Sequence, residues 1–419
     1  MFSELILSIK LAFKNLRTHI GRTVLTLVGI VIGITSVIVI MASGQGVKDY
    51  VLGQVGSFGT DLIQAEVKIP STGKTSIQNA AGQATGIQIT TMKVKDGEEV
   101  AKRVPNIKTW AAGTMAQELA SFGKENKKVM IFGVSAPYLG IDKNNKLEDG
   151  VFFSEEDDDS LAQVAVIGSE IRQDLFGSEN PIGKNIKMSD QNYKVIGTLQ
   201  ERGAVAGFNY DELAYVPVRT VQKKILGVDF VRFIMFQVER EDLIDQTSVA
   251  ITEEMRDLHD IDDPDKDDFA VTSIIEAQEM IEDVFGTINI LLLALTSISL
   301  IVGGVGIMNV MYVAVVERTF EIGLRKAIGA KSKDILKQFL FEAIFLTLAG
   351  GAIGIFLGYL FTLLMSLIFA RLGFALELSV SLQSILLATG FSMTVGIIFG
   401  FYPARKASRL SPMEALGKE

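Results

Sequence analysis

The chain of 419 residues contains no cysteine and only two histidines, His19 and His259. Disulfide bonds, thiolate metal sites and cysteine nucleophiles are therefore excluded, and so is a metal centre built from several histidines. Basic residues are also in the minority, because 40 Lys and Arg are set against 49 Asp and Glu, for a formal charge of −9. A nucleic-acid-binding protein should carry a basic face, so this composition argues against that class.

Four long stretches contain no charged residue. The mean hydropathy of the whole chain, +0.33, is an average over these stretches and a charged remainder. A helix needs roughly 20 apolar residues to cross the hydrocarbon core of a membrane. For the first stretch a cleaved signal peptide is the alternative, but its apolar part is longer than the roughly 7–15 residues usual in such a leader. The sequence thus predicts four transmembrane helices, at residues 24–43, 284–316, 343–370 and 378–404.

Positive charge is concentrated in the short segments beside these stretches, at residues 1–23, 317–342 and 405–419. Lys and Arg in short flanking segments mark the cytoplasmic side of a membrane protein. We therefore expect a multi-pass membrane protein with both termini in the cytoplasm. Apolar residues recur at helical spacing within 1–23, which predicts an amphipathic helix on the cytoplasmic lipid leaflet.

The remaining large segment, residues 44–283, is expected on the outer side and is acidic, with 25 basic and 41 acidic residues. Its length is sufficient for a hydrophobic core. A strand–helix–strand pattern occurs twice, which predicts an extracytoplasmic α+β domain of two βαβ-like halves with a mixed subdomain inserted between them. The predicted parts are a core at 60–134 and 228–275, the insertion at 135–227, and stalk helices at 44–60 and 275–283.

Three local patterns resemble known binding motifs, but each lacks residues that its motif requires. The Gly-Lys-Thr tripeptide at 73–75 ends like a phosphate-binding loop, but Lys68 occupies the position of the first glycine. Acidic clusters at 155–159 and 262–268 lack the Gly and the Glu that a calcium loop requires. We expect these clusters to be solvated turns, with His259 exposed beside the second one. No metal or cofactor is expected in this chain, and no segment has the pattern of an ATPase.

Glycines recur at helical spacing within the predicted membrane helices. Small residues four apart let two helix backbones approach closely in lipid. Packing within one chain and packing in a dimer are equally consistent with this pattern. The candidate packing residues are Gly29, Gly33, Gly303, Gly304, Gly306, Gly350, Gly354 and Gly358.

The segment between the second and third apolar stretches contains a short amphipathic element. Glu317, Glu321 and Arg325 are four residues apart, so their charges line one face of a helix. Ile322 and residues 324–328 supply apolar contacts. Gly329 can end that helix. The pattern is suited to docking of a cytoplasmic protein, and an interfacial helix without a partner is the alternative.

Several ordered motifs along the chain resemble the MacB/FtsX-like ABC transporter permeases. The match covers nearly the whole chain. The segments that carry it are 25–30, 59–61, 152–157, 181–184, 302–309, 317–330 and 399–416.

This resemblance implies four spans of a bacterial-type cytoplasmic (inner) membrane and a porter-like core in the outer domain. It also implies a homo- or heterodimer that engages cytoplasmic ATPase subunits through the helix after the second span. ATP and magnesium would be bound by those partner subunits, and an extracytoplasmic adaptor protein is a further candidate partner. Motion would pass to the extracytoplasmic domain through the stalk helices. By position, the coupling element would consist of Glu317, Arg318, Glu321, Gly323, Arg325 and Lys326, with Gly329 at its end.

The macrolide exporter of this family carries its ATPase domain ahead of the permease, whereas this chain starts at the permease, so a separate ATPase subunit is expected. Two functions then remain open. The first is efflux or extraction of an amphiphilic drug, peptide or lipid-linked substrate. The second is mechanical signalling that activates an exterior cell-wall hydrolase. The full-length exterior domain with its insertion, and the motif of the C-terminal tail, favour transport.

Overall fold

The computed structural model describes residues 20–70, 89–205, 208–371 and 376–416. The chain divides into two compact units, which we call the helical unit (Met1–Tyr50 and Glu282–Glu419) and the sheet unit (Val51–Ile281). The part of the predicted amphipathic helix before Ile20 and the tripeptide at 73–75 lie outside the described residues.

Four helices of the described chain are long and apolar enough to cross a membrane, which agrees with the four uncharged stretches. We number them α1, α8, α10 and α11 among all the helices. A π-helical turn follows α6 at Val221–Leu226. The helices are α1 Ile20–Gly56, α2 Val94–Arg103, α3 Tyr138–Ile141, α4 Glu155–Asp159, α5 Ser169–Phe176, α6 Val218–Thr220, α7 Ile244–Leu258, α8 Ile274–Glu317, α9 Thr319–Ala327, α10 Ser332–Arg371, α11 Leu382–Arg409 and α12 Pro412–Leu416.

The long helices extend beyond the uncharged stretches, because polar residues can continue a helix outside the hydrocarbon core. Helix α1 ends at Gly56 and not at the predicted residue 60, because a turn follows in which Gly59 has a φ of +98°. Helix α10 already begins at Ser332, so the second half of the predicted segment 317–342 belongs to it. Helix α11 begins at Leu382, capped by the preceding serine.

Small residues bring the long helices of the helical unit together. A Cβ on Gly29 of α1 would lie 2.9 Å from the Cα of Gly303 on α8, so the two backbones are in contact there. Thr35 donates a hydrogen bond of 3.0 Å to the carbonyl oxygen of Gly354. Gly306 is half-buried. The remaining candidate glycines lie against residues of the same chain: Gly33 against Leu300, Gly304 against Phe399, and Gly350, Gly354 and Gly358 against Ile30, Ile34 and Ile38.

The sheet unit is built on one sheet of ten strands. The strand order is β12-β1-β11-β2-β3-β10-β5-β7-β4, and β6 pairs with β2 and β7. Buried apolar side chains on its faces form the cores of this unit. The strands are β1 Leu62–Val67, β2 Ile107–Phe122, β3 Glu125–Val134, β4 Leu147–Gly150, β5 Val164–Ile167, β6 Asn185–Met188, β7 Gln191–Leu199, β8 Ala204–Val205, β9 Phe208–Asn209, β10 Leu213–Pro217, β11 Phe233–Val238 and β12 Phe269–Ser273, with β8 and β9 in a separate hairpin.

The two strand–helix–strand halves interleave in this sheet. Strand β11 lies between β1 and β2 and is antiparallel to both, and β1 lies in the same way between β11 and β12. Each half is therefore a split βαβ unit, whose gap is filled by a strand of the other half. Helices α2 and α7 pack against β2 and β12 and against each other. The insertion extends the same sheet, because β10 pairs in parallel with β3.

The two acidic clusters are more ordered than solvated turns. The first forms α4, which begins with a capping box at Ser154. Its Asp158 is buried and accepts a hydrogen bond of 2.9 Å from the backbone N–H of Arg219. Burial raises the pKa of Asp158 to about 6, although this hydrogen bond acts in the opposite direction. In the second cluster, Asp267 is buried and forms a salt bridge of 2.7 Å with Arg256.

The prediction that His259 is exposed is wrong, because only 5% of its side chain is accessible. Nδ1 of His259 lies 2.8 Å from Asp268 and Nε2 lies 3.3 Å from Asp96. Burial alone would lower the pKa of His259, but these two carboxylates outweigh it and raise the pKa to about 9. The charged imidazole therefore fastens the second acidic cluster to the start of α2.

Candidate functional site

Helix α9 is the short element between the second and third long helices, and its sequence accounts for both of its ends. Thr319 opens the helix, and its hydroxyl donates to the carbonyl oxygen of Val316 at 2.8 Å. Glu321 lies in the first turn and Arg325 in the last, where each charge complements the helix dipole. Gly329, with a φ of +105°, ends the helix as the sequence predicts.

Arg318, the residue before α9, fixes the start of this helix to α10 through a buried ion pair. Its Nη1 lies 3.0 Å from Oε2 of Glu342, and the two side chains are 12% and 6% exposed. The guanidinium also lies 5.6 Å from the ring centre of Phe339. Removing Glu342 would leave the largely buried guanidinium with only its longer contact to Glu321, at 3.4 Å, and the loss of one partner from a buried ion pair is destabilising. Sequence reasoning missed Glu342, whose only signal is that it is the last charge before the third apolar stretch.

Arg325 joins the middle of α9 to α10 as well. Its guanidinium donates to Oε1 of Glu321 and to Oε1 of Gln338, both at 2.6 Å. Arg318 also reaches Glu321, at 3.4 Å. The charges that the sequence places on one helical face are thus largely engaged with each other and with α10. Glu317 is the last residue of α8 and is exposed.

Lys326 and Gly323 attach α9 to the C-terminal part of the helical unit. Nζ of Lys326 donates to the carbonyl oxygens of Ser408 and Leu410, both at 2.6 Å, and so satisfies carbonyl groups that the end of α11 leaves unpaired. Gly323 is buried against α12, where a Cβ on Gly323 would lie 2.6 Å from the Cβ of Ala415. The small side chains at this crossing allow α12 to pack closely on α9.

The remaining face of α9 is apolar and exposed. Phe320, Leu324 and Ile328 are four residues apart and 62%, 47% and 78% exposed, and Met413 of α12 is also exposed. Residues four apart lie above one another on a helix, so these side chains form one continuous row. We call Phe320, Leu324 and Ile328 the outer row. Sequence reasoning included 324–328 among the apolar contacts but did not separate the outer row from the buried Ile322.

A metal site is not found among the residues that the structure describes, since no three His, Asp or Glu side chains there are grouped to hold an ion. The geometry of α9 is suited to association with another surface. One side of α9 is fixed by ion pairs and hydrogen bonds to α10 and α11, and the opposite side presents an apolar row. Such a helix can bind another surface without changing its own position.

The described chain has four membrane-length helices, a sheet unit inserted between the first two, and an amphipathic helix after the second. These features define a multi-pass membrane protein. Residues 23–254 match the MacB-like periplasmic core domain, and residues 293–412 match the FtsX-like permease C-terminal domain. The chain therefore belongs to the MacB/FtsX-like family of ABC transporter permeases, which are proteins of the inner membrane.

Curated relatives agree with this assignment. The macrolide export ATP-binding/permease protein MacB of Bdellovibrio bacteriovorus is 34% identical over 417 residues, which are 99% of this chain and 62% of that protein. The pyoverdine export ATP-binding/permease protein PvdT of Pseudomonas syringae pv. tomato is 34% identical over 421 residues, 99% of this chain and 60% of that protein. This chain thus spans about three fifths of the length of these relatives. The crystal structure of the periplasmic region of MacB from Actinobacillus actinomycetemcomitans covers 54% of this chain and 95% of its own, with a TM-score of 0.45 and 21% identity.

Proposed function

We propose that this chain is the permease part of an ABC exporter and that an ABC-type ATPase docks on the outer row of α9. The observation that carries the proposal is the contrast between the two sides of this helix. A contiguous exposed apolar row on an otherwise fixed element is typical of a protein-binding surface. An amphipathic helix can bind by laying its apolar face into a groove of a partner. The names of the relatives, which combine ATP binding with a permease, support the choice of an ATPase.

The side of the membrane on which α9 lies follows from its basic neighbours. Lys331, Lys333 and Lys337 are all exposed and lie within ten residues of its end at Ala327. Basic residues in a short connection favour the cytoplasmic side, which is where ATP is available. We therefore place both termini and α9 in the cytoplasm and the sheet unit on the opposite side.

The contacts of α9 suit it to pass on movement of the ATPase. The Arg318–Glu342 ion pair and the hydrogen bonds of Lys326 resist bending of α9 against α10 and α11. Helix α8, which precedes α9, is continuous over 44 residues, a length of about 66 Å. We propose that the resulting motion drives release of an amphiphilic substrate taken up on the outer side, as the names of the macrolide and pyoverdine exporters suggest.

The docking proposal is tested with Leu324→Asp, which places a charge in the centre of the outer row. The matched control is Leu119→Asp on β2, because Leu119 is an exposed leucine of the sheet unit. Each variant is purified in mild detergent, and the ATPase that is retained is measured by mass spectrometry and ATP hydrolysis. We expect Leu324→Asp to lose ATPase roughly tenfold or more, as at a central interface residue, and the control to retain it. Equal retention by both variants would refute docking at this row.

The same purification separates export from signalling and shows whether the ATPase is a separate chain. Recovery of an ATPase with an extracytoplasmic adaptor supports an efflux assembly, and transport of labelled macrolides or siderophores is then measured. Recovery of the ATPase with a cell-wall hydrolase would replace the export part of the proposal by mechanical signalling.

A further inference from the structure

The last two turns of α11 carry three cations on the side of the helix that faces away from the protein. Arg405, Lys406 and Arg409 are exposed, whereas the other residues of 403–409 are buried. Successive residues of a helix are about 100° apart, so the three cations lie within an arc of about 100°. The exposed Ile398 and Tyr402 fall within the same arc. We call Arg405, Lys406 and Arg409 the basic face of α11.

Lys406 is held in position by Tyr312 of the neighbouring helix α8. Its Nζ donates a hydrogen bond of 2.7 Å to Oη of Tyr312 and lies 4.4 Å from the centre of the aromatic ring. An ammonium group has three donors, so two of them are left for another acceptor. Because the side chain is already oriented by a second helix, it loses less freedom when a ligand binds.

The protein does not neutralise the basic face of α11, in contrast to the charges of α9. Arg325 of α9 is paired with Glu321 at 2.6 Å. Among the side chains that the structure describes, no carboxylate lies within ion-pair distance of the three cations of α11. These cations follow one another within about 6 Å of helix, and like charges this close repel one another. An anion bound between them would relieve the repulsion.

The basic face begins where the apolar exposed part of α11 ends. Ile398 and Tyr402 are 61% and 62% exposed. Tyrosine is enriched at the membrane–water interface, at the level of the lipid headgroups, and long basic side chains near the end of a membrane helix extend to the same level. From Ile398 to Arg409 the helix rises about 16 Å. One face of α11 thus extends from the hydrocarbon core to the headgroup region, where lipid phosphates lie.

We propose that the basic face of α11 and Tyr312 of α8 form a binding site for the phosphate of an anionic phospholipid. Lys406 donates to a phosphate oxygen from the position that Tyr312 fixes, and Arg405 and Arg409 contact the same headgroup. Hydrogen bonds from a cation to phosphate are stronger than those between neutral groups. A zwitterionic headgroup would bring a second positive charge to the cations, so a lipid with a net negative charge is preferred.

The occupant is a lipid rather than an acidic protein surface because of the residues that continue the same face. Ile398 and Tyr402 are exposed next to the cations, and they provide the apolar surface along which an acyl chain can lie. The proposal does not depend on docking of an ATPase at the outer row of α9.

The test titrates the full chain, purified in a neutral detergent, with phosphatidylglycerol or with phosphatidylcholine of the same acyl chains. Bound lipids are counted by native mass spectrometry. We expect the first phosphatidylglycerol to bind more tightly than the first phosphatidylcholine. Lys406→Gln should weaken its binding about fivefold, as expected for one cation near a lipid phosphate, and Lys406→Arg should retain most of it. The matched control is Lys333→Gln, because Lys333 is an exposed lysine at the start of α10, and it should change binding less than about twofold.

Tyr312→Phe tests whether the site is formed by two helices or by charge alone. The substitution removes the hydroxyl that holds Lys406 and keeps both the ring and all charges. We expect phosphatidylglycerol to bind about two- to threefold more weakly, which is the effect of one lost hydrogen bond. Unchanged binding by Tyr312→Phe would overturn the assignment of a site between α8 and α11.

Three other outcomes would also overturn the proposal. Equal binding of the two lipids, or an equal effect of Lys333→Gln, would leave only the general attraction of basic residues to a membrane. Displacement of the lipid by inorganic phosphate at the same concentration would identify free phosphate as the ligand. A Lys406→Gln variant that binds lipid normally but retains less ATPase would assign this face to a protein partner. Failure of ATPase docking is detected separately, with Leu324→Asp.

Discussion

Gly323→Ala is a small substitution that should move α12 away from α9. The new Cβ would lie 2.6 Å from the Cβ of Ala415, whereas carbon atoms pack at about 3.5–4.0 Å. One of the two helices must therefore shift by about 1 Å, and overpacking of this kind costs about 1–3 kcal/mol. Replacing a glycine within a helix by alanine favours the helix by about 1 kcal/mol. The loss of stability measured for this single variant is therefore smaller than the energetic cost of the clash.

A double-mutant cycle with Ala415→Gly isolates the clash from the change in helix propensity. Ala415→Gly removes the atom that the new Cβ would meet, so the double variant should recover about 1–3 kcal/mol relative to the sum of the single changes. The opening of α12 is measured by the rate of proteolysis of the C-terminal segment, and docking by the ATPase that is retained. Effects that add to within about 0.5 kcal/mol would refute the close packing of Gly323 on Ala415.

Three further changes test other contacts. Gly29→Ala should reduce the amount of folded protein in the membrane, because its Cβ would meet the backbone of Gly303. Gly53→Ala on the same helix would meet nothing within 4 Å and should not reduce it. The raised pKa of His259 means that its stabilisation, roughly 2 kcal/mol after allowance for solvent screening, is complete below about pH 6.5 and is lost as the pH rises through about 9. Amide exchange corrected for intrinsic rates should show this loss, and His259→Gln should abolish the pH dependence. Charge reversal at Glu321 or Arg325 should lower ATP hydrolysis coupled to the permease and leave circular dichroism unchanged, and full coupled activity in both variants would contradict their role.

The sequence predicts the helices and strands of this protein better than it predicts which residues of different elements are in contact. An uncharged run of sufficient length defines a membrane helix by itself, and the four-residue spacing of Glu321 and Arg325 defines α9. The partner of Arg318 could not be found in this way, because Glu342 belongs to a different helix. His259 was predicted wrongly for the same reason, since its contact Asp96 is 163 positions away in the chain.

The strand order could not be read from local patterns either. Both halves of the sheet unit have the strand–helix–strand order that the sequence indicates, but hydrophobic alternation within one strand says nothing about which strand lies beside it. The outer row of α9 could not be predicted from a local pattern either. The pattern of apolar residues indicates an amphipathic helix, and only the packing of Ile322 shows which apolar residues face the protein and which remain accessible.

The interleaved sheet also determines when this chain can fold as it is synthesised. Leu62 of β1 is paired with Gln237 of β11 and Ile63 with Ser273 of β12. Strand β1 therefore cannot pair until these strands, which are much later in the sequence, have been synthesised. Until then both of its edges are open to pairing with other extended chains. Long-range pairing of this kind slows folding and prolongs exposure to aggregation. A chain interrupted before β11 would therefore leave an unprotected strand attached to a complete first membrane helix, which makes truncated forms of this protein natural targets for quality-control proteases.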